Sequence, residues 1–297
     1  MWTRWQETHA VAQSFRGRTA GILLAFLEGA CTARPKPEAT HGHKWSRSTV
    51  ERIRRADTAL LLKSKRRDLG TDTSEVYPGR PDSTDMFPEV VAVGNDNGWQ
   101  CSGVLVSPVL AMTAAHCPPP SRIYVGPQVI DTDAANIYTV NVDSQRWGDI
   151  ALLRIQAIEG RHLRFLPLAT GCPERFGTPL IATLVGFGSA FPESIPDGLR
   201  GYGRTRLAEM TCAGSTNRLP CNPAEEFALT ASPGDSDTCE GDSGGPVLAA
   251  IRGNATIVGI TSRSIDGSVC GRGGIYVRGD LLQRDAARLG IGVVPCQ

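Results

Sequence analysis

The sequence predicts an all-β protein made of closed antiparallel barrels with a short C-terminal helix, and three observations carry that prediction. The 297 residues include 33 glycines and 20 prolines, the turn formers that a chain of many short strands requires. Apolar runs are short: Gly103-Val104-Leu105-Val106, Pro179 to Gly186 and Ala255 to Ile260 alternate with turns rich in Pro, Gly, Asn and Asp. No segment approaches 18 consecutive apolar residues, so a conventional transmembrane span is not expected. The formal charge is nearly balanced at +1, and nothing in its pattern points to nucleic acid.

In chain order, residues 1–33 read as a signal peptide. Arg4, Arg16 and Arg18 precede the apolar run Ala20 to Leu27, and the small residues Gly29-Ala30-Cys31 follow. Cleavage near Ala30 or Ala33 releases a secreted, extracellular protein; lipid attachment at Cys31, in a bacterial cell envelope, is the alternative, and a misassigned start codon would also explain the long leader. Residues 34–75 read as a propeptide or linker. Ser48 with Glu51 forms a capping box ahead of Val50, Ile53 and Leu60 to Leu62, an amphipathic helix that runs into the basic segment Lys63-Ser64-Lys65-Arg66-Arg67. Residues 1–75 hold 14 Lys/Arg against 8 Asp/Glu, net +6, and the remainder is net −5 with 17 against 22. The basic leader either docks on the acidic body or is a solvated tail. His41 and His43 alone make a weak case for a metal, so no metal site is assigned, and no cofactor is expected. The last element, a helix over Leu281 to Leu289, precedes the C-terminus.

Three segments of the body carry chemistry. Ser243 stands in Cys239-Glu-Gly-Asp-Ser-Gly-Gly-Pro246, and a serine hydroxyl is a poor nucleophile unless a base removes its proton during attack. His116, in Thr113-Ala-Ala-His-Cys117, supplies an imidazole that titrates near neutrality and can both take and return that proton. Asp149, in Trp147-Gly-Asp-Ile-Ala-Leu-Leu153, can hold the ring in the required tautomer.

These segments, in the order His, Asp, Ser, resemble the trypsin/chymotrypsin-like serine endopeptidases from about Val76 to the C-terminus. The order itself discriminates: α/β-hydrolases run Ser, Asp, His and subtilisins Asp, His, Ser. The resemblance implies two six-stranded antiparallel β-barrels with the active site between them, over a protease domain of residues 76–297. It implies His116 as general base, Asp149 as its orienting acid, Ser243 as nucleophile, and the N–H groups of Gly241 and Ser243 as oxyanion hole. It also implies disulfides Cys101–Cys117 and Cys239–Cys270. Cys212–Cys221 as a local bridge and Cys172–Cys296 as an anchor for the tail are guesses, and the sequence leaves the pairing of these four open.

Asp237, six residues before the nucleophile, matches the carboxylate at the base of the family's cation-selective pocket, with Thr238 beside it. Ser262, Arg263, Ser264 and Gly274 match the pocket walls and imply preference for Arg or Lys before the scissile bond. The family's first wall usually reads Ser-Trp-Gly, so Arg263 removes an aromatic shelf. Either Arg263 favours acidic or polar residues in the extended subsites or it points into water. Glu240 discourages acidic residues near the cut. Zymogen activation in the family implies an ion pair between a new N-terminus, here Val76, and Asp242; the preceding residue is Glu75, so a different protease is expected to make that cut. The expected partners are protein or peptide substrates and protein inhibitors, with the enzyme a monomer. A second class of function, a non-catalytic homologue acting as a binding or regulatory module, normally shows a lost triad residue, and none is lost here.

Overall fold

The computed structural model describes residues 76–127, 130, 134–158, 163–189, 198–212, 221–230, 232–265, 267 and 270–297. The expected signal segment 1–33 with Cys31, and segment 34–75 with its helix, basic run and His41/His43 pair, lie outside the described residues.

After a two-residue strand β1 (Arg80–Pro81), six strands form the first unit: β2 (Val90–Asn95), β3 (Gly98–Ser107), β4 (Leu110–Ala114), β5 (Arg122–Tyr124), β6 (Ile137–Trp147) and β7 (Ile150–Ile155). They close into a barrel in the order β2-β3-β4-β7-β6-β5. Aliphatic residues fill both faces, and the two-residue period of a strand sorts them. Val90 and Ala92 of β2, Val104 of β3 and Met112 of β4 join one apolar cluster. Their neighbours Val91, Val93, Leu105 and Ala111 join another.

The second unit is built from β8 (Leu168–Thr170), β9 (Arg175–Gly186), β10 (Gly201–Glu209), β11 (Glu226–Leu229), β12 (Pro246–Ile251), β13 (Asn254–Ser264), β14 (Gly274–Arg278) and β15 (Val293–Pro295). Among the described residues it is a nine-stranded sheet with the path β1-β10-β9-β12-β13-β14-β11, and β8 bridges β13 to β15. Alternation is plain in β10, where Gly201, Gly203, Thr205 and Leu207 are buried and Arg204 and Arg206 are exposed. The Ala228 N–H donates to Thr211 O at 3.0 Å, so β11 meets the chain just past β10 and the two ends of the six strands from β10 to β11 curl toward each other. The fold is the expected all-β, double-barrel type, the second unit gaining extra edge strands.

The expected C-terminal helix is shorter than its apolar pattern suggested. A 3-10 turn at Gly279–Leu282 and a single helical turn α1 (Ala286–Leu289) replace a helix over 281–289. Asp285, between them, accepts from Trp147 Nε1 at 2.9 Å and from Arg288, and Gly290 ends the turn at φ 69°. The Trp147 bond ties the first barrel to the C-terminal segment, and one apolar cluster runs from Val104 and Leu152 across to Leu248, Ile257 and Leu289. Among the described residues no helix is long and apolar enough to cross a membrane.

Four disulfides join described residues, as Cys101–Cys117, Cys172–Cys296, Cys212–Cys221 and Cys239–Cys270. The first spans 16 positions, a closure worth about 3 kcal/mol in the loop-entropy account.

Candidate active site

Strand register brings the first two candidate groups together. Within the β4–β7 pair, Ala114 lies opposite Ile150, so residues 115–116 leaving β4 meet residue 149 entering β7. The Ala115 N–H donates to Asp149 O at 2.9 Å, and the His116 N–H donates to Asp149 Oδ1 at the same distance. With the backbone held this way, His116 Nδ1 lies 2.7 Å from Asp149 Oδ2 and Nε2 lies 3.0 Å from Ser243 Oγ. The three groups predicted from separate motifs form one hydrogen-bonded line, within reach for proton transfer.

Ser243 reaches this line because the first barrel seats its loop. The Ser102 N–H on β3 donates to Ser243 O at 2.8 Å, and the Ser102 hydroxyl donates to Gly241 O at 2.9 Å while accepting from the Phe187 N–H. Thr113 Oγ1 in turn donates to Ser102 O. Gly244 sits at φ +86°, and a Cβ there would crowd the Ala114 nitrogen at 2.7 Å, which explains the glycine after the serine. Sequence reasoning passed over Ser102, a lone serine in a strand with no local motif. Ser102→Ala should cost about 1–3 kcal/mol by stranding buried polar groups, read as a lower chemical denaturation midpoint.

Two peptide orientations matter next to Ser243. Glu240 O accepts from the Ser189 N–H at 2.7 Å, and Asp242 O accepts from the Gly245 N–H at 2.8 Å. In a trans peptide N–H and C=O point in opposite directions, so the N–H groups of Gly241 and Ser243 face away from those partners. Gly241 adopts φ +94°, which favours glycine there.

Burial is the largest influence on the Asp149 carboxyl and raises it. The hydrogen bonds from His116 and Ser262, with the His116 charge, together outweigh burial and hold it below the ordinary carboxylate range. The stabilisation from this lowered value is present above the ordinary range and is lost as pH falls through the folded value. Ser262, expected as a pocket wall, also donates its hydroxyl to Asp149 Oδ2 at 2.6 Å.

Asp237 is buried, with Thr238 beside it. Its Oδ2 accepts from the N–H groups of Gly271 and Gly273 at 2.8 and 2.9 Å, and Oδ1 accepts from Thr238 N–H. Burial dominates and pushes this carboxyl above the ordinary range, against those hydrogen bonds. Thr238 Oγ1 lies 3.3 Å from the buried Tyr276 hydroxyl, which burial pushes well up. Gly274 pairs with Ser264 across β13–β14, and a Cβ on Gly274 would crowd the Tyr276 hydroxyl at 2.6 Å. Arg263, whose side chain is 39% exposed, forms a two-pronged ion pair with Glu226 at 2.6 and 2.9 Å.

Val76 and Asp242 are both fully buried. Tyr77 and Asp237 exchange backbone hydrogen bonds at 2.9 and 2.7 Å, and the Ser236 hydroxyl donates to Pro78 O at 2.6 Å, so Tyr77 and Pro78 are docked beside Ser236 and Asp237. Asp242 accepts from the Gly188 and Cys239 N–H groups.

A closed antiparallel barrel beside a second β unit, with serine, histidine and aspartate aligned where they meet, defines the class of double-barrel serine proteases. The chain belongs to the trypsin family, whose model matches residues 76–283. It is 28% identical over 238 residues to serine protease snk of Drosophila melanogaster, across 68% of this chain and 54% of that protein. It is 30% identical over 219 residues to glandular kallikrein of Sus scrofa, across 64% and 85% respectively. Coagulation factor IX of Oryctolagus cuniculus is 23% identical over 257 residues, across 79% and 91%. The chain thus spans about half the length of the Drosophila relative.

Proposed function

We propose that the protein is an active, exported endopeptidase that cleaves peptide bonds after Arg or Lys through an acyl-enzyme on Ser243. The observation that carries this reading is the unbroken contact from Ser243 Oγ through His116 to Asp149, at 3.0 and 2.7 Å. In the reaction, Ser243 Oγ attacks the scissile carbonyl carbon as His116 Nε2 takes its proton. The new oxyanion is held by the Gly241 and Ser243 N–H groups, a contribution of roughly 3–4 kcal/mol per donor in comparable sites. His116 then gives the proton to the departing amine, and water repeats the sequence on the acyl-enzyme. Asp149 stays ionised, fixing the ring tautomer and stabilising the imidazolium.

Asp237 supports the cationic preference, since a buried carboxylate favours a guanidinium or ammonium and leaves an apolar side chain facing an unpaired charge. Docking of Val76 supports activation by cleavage after Glu75, its freed ammonium group pairing with Asp242. Four disulfides support an oxidising, extracellular destination.

A peptide-library cleavage profile of purified enzyme, with its N-terminus sequenced, tests these points together. The expected profile shows Arg and Lys before the cut, and the expected N-terminus is Val76. Asp237→Ser should abolish that preference while leaving a fluorophosphonate probe able to label the protein. Because burial raises the Asp237 carboxyl, the wild-type preference should weaken on acidification before ordinary carboxylates titrate. An unchanged profile in the variant contradicts the pocket assignment, and a protein that no probe labels is the non-catalytic homologue.

A further inference from the structure

The ion pair of Arg263 and Glu226 does not end at the two side chains. Arg263 Nη1, which donates to Glu226 Oε1 at 2.6 Å, also donates to Ser262 Oγ at 3.2 Å. That hydroxyl donates to Asp149 Oδ2 at 2.6 Å, the same oxygen that faces His116 Nδ1. Glu226 is held by a second bond, accepting from the Asn222 N–H at 2.7 Å. Its strand β11 and Arg263's strand β13 flank β14, so the two side chains meet across one strand. We propose that Arg263 and Glu226 brace the acid of the triad through Ser262, Arg263 acting as a positioning residue whose charge tempers the field of Asp149 at the imidazole.

The geometry favours this role over capture of an acidic substrate residue. Both prongs of the guanidinium already face a carboxylate that is 9% exposed, which leaves little field for a second anion. Arg263 and Asp149 attract each other, and Glu226 holds the guanidinium charged. A cation near the triad disfavours a second positive charge on His116, and a compensating anion reduces that effect. Among the described residues the charged groups near this line include Glu225, whose Oε2 lies 3.1 Å from where a Gly148 Cβ would stand, Glu240 and Asp242 on the Ser243 loop, and Arg146, which lines a cavity with Ala114, Ala115 and Cys117. Arg263 is the cation hydrogen-bonded into the line, through Ser262, so its removal should register.

The inference rests on the proposed catalytic role of Ser243, and its test separates the two. The rate of fluorophosphonate labelling at Ser243 is measured against pH, where the acid limb reports protonation of the base. Arg263→Met should move that limb to higher pH by about half a unit, and Glu226→Gln should move it down by a comparable amount. Arg263→Lys, which keeps the charge, should follow the wild type. These opposed shifts are not what a purely structural loss produces. Coincident limbs in labelled wild type, Arg263→Met and Glu226→Gln overturn the inference alone. A change confined to the cleavage profile at acidic substrate residues also overturns it. Absence of labelling in wild type at every pH overturns the catalytic reading and this inference with it. If Arg263→Met does not fold, the direction of the Glu226→Gln shift decides.

Discussion

Ser243→Ala lowers turnover of a peptide substrate by roughly a millionfold, and His116→Ala does the same, because the two groups act as one unit. The physical reason is the 3.0 Å contact between Nε2 and Oγ: without the base the hydroxyl is a weak nucleophile, and without the hydroxyl the base has nothing to deprotonate. The double variant should therefore be hardly worse than either single one. Asp149→Asn should cost about ten-thousandfold while leaving the backbone intact, since an amide at 149 favours the tautomer that offers Ser243 an N–H in place of a lone pair. Steady-state kinetics on one cationic peptide across the four variants checks these values. Activity in Ser243→Ala within tenfold of wild type contradicts them.

Arg200→Met lowers stability by about 3–5 kcal/mol, the largest effect expected away from the active site. Arg200 is fully buried, and its Nε donates to the equally buried Asp82 at 2.9 Å. It also pairs with Asp85 and reaches Val90 O and Gly126 O, with Phe187 beneath the guanidinium. Asp82 accepts from the Met86 and Phe87 N–H groups as well. One cation thus joins the segment entering the first barrel, the barrel itself and the start of β10. Removing it leaves the Asp82 carboxylate buried without its counter-charge, whereas replacing both partners by apolar residues removes the unpaired group. The single variant should melt roughly 10 °C lower. Arg200→Met with Asp82→Leu should recover part of the loss. A single variant as stable as wild type contradicts this account.

Much of the site was legible because its chemistry sits in short contiguous motifs. Ser243 comes with its glycines and cysteines, His116 follows one strand and Asp149 precedes another, and the resemblance implied two of the cysteine pairs, Cys101–Cys117 and Cys239–Cys270, while the other two were guesses. The groups that support them were not legible. Ser262 looked like a pocket wall, and only the packed structure shows its hydroxyl on Asp149, 113 positions away in the chain. Arg263 and Glu226 lie 37 apart and Asp82 and Arg200 lie 118 apart. A single sequence carries no signal that pairs such charges, because strand order and register decide which side chains meet. The C-terminal helix shows the converse limit: the apolar spacing of 281–289 is helical, yet Asp285 bonds sideways to Trp147 and Arg288, and one turn remains.

The central claim is that Ser243 is an activated nucleophile. The direct test is the intact mass of the purified protein, cut to begin at Val76, after exposure to a fluorophosphonate, followed by mapping of the modified residue. The account predicts one adduct per chain, on Ser243, that disappears in His116→Ala. A folded, correctly cut protein that stays unmodified, or carries the adduct on another residue, contradicts it.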